Sequence, residues 1–455
     1  MTDSLMRLSQ VADWTHGEWD GKDILVKAVC TDSRHIAEQS LFVAIKGERF
    51  DGHAYVDSAL QQGACAALVE QSASAPADQV IKVEDTRRGL GQLAAGYARQ
   101  FNLPRIAVTG NAGKTTVKEM MAALLGPAAL ATKGNFNNDI GVPLTLLRLR
   151  QQHEFGVFEL GANAPGEIAW TSSLVSPDVA MITNVTGAHL EGFGSMQGIA
   201  DAKAEIFSGC AEGATAVINV DDSFSAFFKQ QALRHGLTPV LVSQSAAADL
   251  WAEQIIAHEA SVSFLLQPHN IAISIPMPGR HQVSNALMAL AAVEAVTGDI
   301  IDRAHLLGTL ASVPGRMQVH KIAGGTLVDD SYNANPGSVR AAIDWLASQP
   351  SPRCLVLGGL AELGNFGPSI LADLGADTRR AGIERLVLMP ESRAAANTFP
   401  HAQIATDHDA AALYAKQTLE QTGTVLVKGS RSAAMEQVVQ RINNTGASLN
   451  TPGDC

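Results

Sequence analysis

The chain has 455 residues, 46% of them hydrophobic and 17% charged, and its 33 Lys and Arg against 45 Asp and Glu leave a formal charge of −12. At roughly 150 residues per domain the length excludes a single small binding module and suggests two to four domains, with material for several buried cores. The negative balance is opposite to what a general nucleic-acid binder needs, so no nucleic-acid partner is expected and an anionic ligand must be held by a local site.

The first segment, 1–103, carries short β-like runs at 24–29, 41–45, 66–69 and 80–83, a helical stretch around 55–62, a surface loop at 71–78 and a helix over about 86–100. Asn102-Leu103-Pro104 is the turn signal that closes it. The second segment, 104–313, opens with an apolar strand at 105–108, turns through glycines and enters a helix at 114–125. Further apolar runs at 156–160, 179–182 and 214–219 alternate with helix-length stretches, and the alanine-rich stretch 286–296, broken by Glu294, reads as a buried helix. This alternation predicts a parallel sheet with helices on both faces. After Val313-Pro314-Gly315 the third segment, 314–442, alternates runs at 326–328, 354–357, 385–389 and 425–427 with helices at 338–347 and 432–441, the pattern of a small doubly wound, Rossmann-like domain. The tail 443–455, rich in Asn, Thr and Gly, is expected to be disordered. The fold class expected is α/β in three domains.

Five cysteines, Cys30, Cys65, Cys210, Cys354 and Cys455, are odd in number, widely spread and form no C-x-x-C pair, which favours a reducing compartment over a disulfide framework or zinc site. Residues 1–14 lack the basic start and apolar stretch of a signal peptide. No apolar run reaches the roughly 18 residues that cross a bilayer. A cytoplasmic protein without a membrane span is expected.

Gly110-Asn111-Ala112-Gly113-Lys114-Thr115-Thr116 stands at a predicted strand-to-helix turn. Glycines let backbone N–H groups approach phosphate oxygens, the helix N-terminus adds its dipole, Lys114 reaches the outer phosphates and the Thr115 hydroxyl suits magnesium. The usual pattern has one more glycine, where Val108 stands, so the match is a shortened G-x-x-G-K-T-T; the bland alternative is a tight turn with an exposed lysine. A phosphate site in an acidic chain calls for a metal, and Glu159 and His189 each follow a predicted strand end, where a ligand would face the loop. Taken alone, Glu159 reads equally as a surface acid and His189 as a hydrogen-bonded structural histidine.

Motifs from end to end carry a resemblance: Thr31-Asp32-Ser33-Arg34, Lys46-Gly47-Glu48-Arg49-Phe50-Asp51-Gly52-His53, the phosphate loop, Gly134-Asn135-Phe136-Asn137-Asn138-Asp139-Ile140-Gly141-Val142-Pro143, Ala188-His189-Leu190-Glu191-Gly192, Val313-Pro314-Gly315-Arg316 and Asp329-Asp330-Ser331-Tyr332-Asn333-Ala334-Asn335. The whole chain resembles the Mur ligase family. The phosphate loop is shared across that family and with folylpolyglutamate synthases; the K-G-E-R-F-D-G-H and G-N-x-N-N-D-I-G-V-P strings resemble the members that join D-alanyl-D-alanine to UDP-N-acetylmuramoyl-tripeptide. The resemblance implies an N-terminal UDP-substrate domain, a central P-loop ATPase-like domain and a C-terminal Rossmann-like domain. It also implies an ATP-dependent amide ligase of peptidoglycan precursor synthesis, working through an acyl phosphate, with ATP and magnesium, two ions, as cofactors and a monomeric chain.

By the same resemblance, Lys114, Glu159, His189 and Lys203 are catalytic, and Thr115, Glu159, His189 and Lys203, the last as a carbamate, hold magnesium. ATP is held by 110–116 with Asn285, Arg316 and Asp330. Ser33, Arg34, Lys46 and Gly47 face the uridine diphosphate, a hydroxyl, a guanidinium and a glycine-opened loop being suited to uracil and phosphate; Asn335 and Glu362 are candidates on the acceptor side. Ala164, Gly359, Leu360 and Leu371 depart from the usual pattern, which leaves the acceptor half less defined than the ATP half. Competing readings are another Mur-type amino-acid ligase and a nucleotide-binding regulatory pseudo-enzyme, which would turn over nucleotide without the amide-forming substrates.

Overall fold

The computed structural model describes residues 4–47, 50–71, 76–187, 190–311, 313–322 and 324–446. Strands Ala28–Cys30, Ser40–Val43, Ala64–Glu70 and Val80–Val83 form a four-stranded parallel sheet near the N-terminus, flanked by the small antiparallel pair Met6–Arg7 and Leu25–Val26. A nine-stranded sheet follows, ordered Ile271–Ile275, Val262–Gln267, Leu250–Ala257, Thr238–Ser243, Thr215–Asn219, Val179–Ile182, Arg105–Thr109, Phe155–Glu159, Ala129–Ala131. The third sheet has six strands, ordered Gln318–Ile322, Gly325–Asp330, Thr424–Lys428, Arg353–Leu357, Arg385–Leu388, Gln403–Ile404.

The parallel centre of the large sheet follows from alternation. In Arg105–Thr109, Ile106 and Val108 point into one buried cluster with Val117, Met120, Met121 and Leu124, while Ala107 points into the other, as successive strand residues must. Helix Lys114–Leu125 buries Val117, Met120, Met121, Leu124 and Leu125, the spacing of a single apolar face, and ends at Gly126, whose φ of 74° stops the helix. It packs on helix His281–Thr297, whose 286–293 run is buried throughout. On the opposite face, Leu90 and Leu93 of helix Thr86–Ala98 share one core with Leu41, Leu68, Ile168 and Phe207, so that helix joins the N-terminal sheet to the helical layer covering the central one.

Two differences from the sequence reading stand out. The large sheet is mixed, because Val262–Gln267 pairs antiparallel with both Leu250–Ala257 and Ile271–Ile275. These strands lie at the edge, and their half-buried alternation, with Val262, Phe264 and Leu266 buried and the residues between them partly exposed, carries less apolar weight than the central runs. The last helix spans Glu436–Gly446, after a short 3-10 turn at Arg431–Ala433, so it starts later than 432 and continues past the expected boundary at 443. Residues 447–455 of the expected tail lie outside the described residues. No helix among the described residues is long and apolar enough to cross a membrane.

Candidate active site

Three neighbouring parallel strands bring their C-terminal ends together. Val108 is paired with Glu159 and Thr109 with Ile182, so the chain leaves the sheet side by side at Gly110, Glu159 and Thr183, the edge where ligands of open α/β sheets bind. Gly110 and Gly113 have φ of 136° and 84°, conformations that favour glycine. Neither has room for a side chain: a Cβ would lie 2.0 Å from Thr183 Oγ1 at Gly110 and 2.5 Å from Asn285 Oδ1 at Gly113. Gly113→Ala should therefore weaken nucleotide binding by about 1–3 kcal/mol, the scale of a strained backbone. Calorimetric titration with ADP would show it, and wild-type affinity would contradict this account of the loop.

The loop between the glycines is clamped from the strand Val179–Ile182 side. Thr183 Oγ1 and Asn184 Nδ2 donate to the Ala112 carbonyl at 2.6 and 3.0 Å, Asn184 Oδ1 accepts from Ala112 N at 3.0 Å, and the Thr186 amide donates to Asn111 Oδ1 at 3.0 Å. Lys114 Nζ donates to the Gly110 carbonyl at 2.6 Å and so lies folded over the loop. Burial lowers the Lys114 pKa and the nearby Arg316 cation adds to this, while Glu159 and Glu362 oppose it. The Thr115 hydroxyl donates to Glu159 Oε2 at 2.9 Å and accepts from Arg316 Nη2 at 3.0 Å. Glu159 is 2% exposed, and its other carboxylate oxygen accepts from Asn137 Nδ2 at 2.8 Å.

The C-terminal segment closes the opposite wall. The Arg316 guanidinium stacks 4.5 Å from the Tyr332 ring centroid, and Asn335, the N-cap of helix Pro336–Ala347, donates from Nδ2 to the Asn111 carbonyl at 3.2 Å. Asn335, expected on the acceptor side, thus reaches the phosphate loop itself. Asp330 lines the same cleft with Oδ1 on the Met317 amide at 3.2 Å and Oδ2 on Lys428 Nζ at 2.5 Å. A second contact between these two sheets lies at the turn before Val262–Gln267, where Glu259 accepts from Thr326 Oγ1 at 2.7 Å and pairs with Lys321.

The cleft measures about 870 Å³ and is lined by Asn111 to Thr116, Glu159, Asn285, Arg316, Asp330 and Asn335, together with His281, Gln282, Tyr332 and Lys428. Asn285 Nδ2 donates to Gln282 Oε1 at 2.9 Å, and burial pushes His281 down to about 4, so its ring is neutral near pH 7. Lys203, at the end of helix Met196–Ala204, is 1% exposed with Nζ 5.5 Å from the Phe193 ring centroid. Burial brings its pKa down to about 7; the Lys114 charge contributes, and Glu205, Glu167 and Glu362 oppose. Glu362 acts electrostatically on both lysines from a loop where its own φ is 61°. His189 lies outside the described residues.

Ser33, Arg34, Lys46 and Gly47 stand elsewhere, on loops leaving the C-terminal ends of the paired parallel strands Ala28–Cys30 and Ser40–Val43. Arg34 is exposed and forked onto Asp32, with Nη2 to Oδ2 at 2.6 Å and Nε to Oδ1 at 2.9 Å. Arg87 ties this loop region to the centre, donating to the Lys46 carbonyl at 3.3 Å and to Asp139 Oδ2 at 3.0 Å. Of the departures noted in the sequence, Leu371 is buried in the core of the third sheet, and the Gly359 carbonyl accepts from the Ser430 amide at 2.9 Å.

The sequence reading missed Thr183, Asn184, Asn137 and Lys428 as site residues. Asn137 lies in a motif already singled out, and Thr183 and Asn184 directly follow a predicted strand end; Lys428 directly follows one too, but the ion pair that reveals it spans 98 residues of chain.

Comparison with known proteins gives a consistent picture. Sequence profiles described as Mur ligase family, catalytic domain, Mur ligase middle domain, and Mur ligase, glutamate ligase domain match residues 25–98, 108–293 and 315–431. The UDP-N-acetylmuramoyl-tripeptide--D-alanyl-D-alanine ligase of Escherichia coli strain K12 is 42% identical over 452 residues, covering 96% of this chain and 98% of that protein. Among solved structures, MurF from Acinetobacter baumannii superposes with a TM-score of 0.90 at 33% identity, over 98% of this chain and 100% of that one. The MurF ligase of Thermotoga maritima in complex with ADP has a TM-score of 0.83 at 28% identity, over 93% and 98%.

Proposed function

Because the chain belongs to the Mur ligase family, we propose that it joins D-alanyl-D-alanine to the terminal carboxylate of UDP-N-acetylmuramoyl-tripeptide at the expense of ATP, in peptidoglycan precursor synthesis. The observation that carries the reading is the convergence of Lys114, Arg316 and the Thr115–Glu159 pair on one cleft. A carboxylate is a poor electrophile, so the γ-phosphoryl group moves onto it, giving an acyl phosphate and ADP. The dipeptide amine then attacks the acyl carbon, and inorganic phosphate leaves from the tetrahedral intermediate with the amine's proton passing to solvent or phosphate. Two anions meet in the first step, so placed cations dominate catalysis: Lys114 on the loop, and Arg316 held across it by Tyr332.

The donor set suits magnesium. Thr115 Oγ1 and Glu159 Oε2 are hard oxygen donors 2.9 Å apart at the phosphate loop, and that ion takes few protein ligands beside phosphate oxygens and water. Bound there, it would neutralise developing phosphate charge. Thr115, Glu159, His189 and Lys203 as a carbamate are the residues we assign to hold it. Lys203 supports the assignment because an amine with a pKa of about 7 is substantially neutral at physiological pH, the form that attacks carbon dioxide and loses a proton. Asn285 is assigned to adenine, Asp330 to the ribose, Ser33, Arg34, Lys46 and Gly47 to the uridine diphosphate, and Glu362 to the incoming ammonium group. The need for ATP supports a cytoplasmic location, and action as a monomer is part of the same proposal.

A phosphate-release assay tests the reading. Release should require UDP-N-acetylmuramoyl-tripeptide and D-alanyl-D-alanine together; steady turnover with either omitted would instead favour a nucleotide switch, and preference for a single amino acid over the dipeptide would favour another ligase of the family.

A further inference from the structure

Lys118 is 1% exposed, one turn beyond Lys114 on the same helix, and does not line the cleft. Burying an ammonium group is costly unless it is well partnered. Its Nζ donates to the Thr132 carbonyl at 2.8 Å and pairs with Glu119 Oε1 at 2.6 Å. Thr132, 2% exposed, follows directly on the edge strand Ala129–Ala131, where the ladder to Phe155–Glu159 runs out. There its hydroxyl takes the place of a strand carbonyl and accepts the Glu159 amide at 3.1 Å, while its own amide donates to the Val157 carbonyl at 3.0 Å.

These bonds close a circuit. From Thr115 one turn of helix leads to Lys118, Lys118 holds Thr132, Thr132 holds the Glu159 backbone, and the Glu159 carboxylate returns to the Thr115 hydroxyl at 2.9 Å. The helix is thereby tied to the strand end at two heights, and the spacing between the Thr115 hydroxyl and the Glu159 carboxylate is set from behind the site. We propose that Lys118 and Thr132 are positioning residues for Glu159, fixing that spacing and so the gain in nucleotide affinity that magnesium confers. This rests on the reading of Thr115 and Glu159 as the pair that faces the metal.

The test is the ratio of ADP dissociation constants in EDTA and in saturating magnesium, measured by calorimetry on the full chain. Thr132→Val and Lys118→Met keep shape while removing the acceptor or the ammonium; each should cut the ratio about tenfold, the scale on which outer partners tune a metal site, with affinity in EDTA unchanged within about twofold on the same reasoning. Thr132→Ser keeps the hydroxyl and should retain the wild-type ratio. Glu159→Gln is the control and should lose most of the metal-linked gain. If Glu159→Gln loses it while Thr132→Val and Lys118→Met keep it, the positioning role is overturned; if Glu159→Gln keeps it, the reading of Glu159 itself fails. Should Thr132→Val not fold by circular dichroism, the other two decide: a wild-type ratio in Lys118→Met, or a lost gain in Thr132→Ser, overturns the proposal.

Discussion

Replacing Lys114 by alanine should lower phosphoryl transfer by about 100- to 1,000-fold, equivalent to roughly 3–4 kcal/mol, the range for removing one preorganised donor from a charge-developing centre. Lys114 Nζ lies over the loop against the Gly110 carbonyl, and no other lysine or arginine among the described residues that line the cleft comes from the loop itself. Arg316 reaches the site from the other side, donating to Thr115, and Lys428 is committed to Asp330. Neither is placed to substitute. Single-turnover formation of acyl phosphate from labelled ATP is the measurement, with circular dichroism to confirm folding. Turnover within a few-fold of wild type would remove Lys114 from the chemistry.

Lys203→Ala should reduce turnover on a comparable scale, and in the unaltered chain activity should depend on dissolved carbon dioxide in a pH-dependent way. With a pKa of about 7 the amine is roughly one-tenth neutral at pH 6 and nine-tenths neutral at pH 8. Carbamate formation needs the neutral amine, so protein stripped of carbon dioxide should regain activity faster as pH rises through 7 when the concentration of dissolved carbon dioxide, rather than of total bicarbonate, is held constant. Because burial is the leading cause of the lowered pKa, a variant that opens the pocket around Phe193 should move this dependence upward. Full activity without bicarbonate, together with an unmodified Lys203 by peptide mass, would rule out the carbamate.

What was legible in the chain tracks how local the physics is. The strand Arg105–Thr109, its glycine turn and the helix Lys114–Leu125 were readable because apolar periodicity switches from two to about three and a half across a single turn, and because two glycines adopt backbone shapes other residues avoid. The antiparallel edge from 250 to 275 was not, since edge strands alternate weakly and their pairing is decided by partners rather than by their own composition. At the site, Thr115 and Glu159 could be guessed from their places at a helix start and a strand end. The clamp of Thr183 and Asn184 on Ala112, and the ion pair of Lys428 with Asp330, arise only when distant segments meet. The family resemblance supplied Arg316 and Asn335; their reach to Thr115 and Asn111 is a property of the folded chain.

The sharing of the nucleotide cleft between two sheets has a thermodynamic consequence. Arg316 and Asn335 touch the phosphate loop directly, and Glu259 joins the same two sheets at a distance from it through Thr326 and Lys321. Nucleotide that bridges the walls is therefore linked to their docking, and linkage is reciprocal: the free energy by which nucleotide favours the docked arrangement equals that by which docking favours nucleotide. A change that loosens the Glu259 contact, without touching any atom of the cleft, should then weaken nucleotide binding by the amount it shifts the docking equilibrium. Release of ADP is tied to the same balance, so the strength of a peripheral contact can govern how often the enzyme resets.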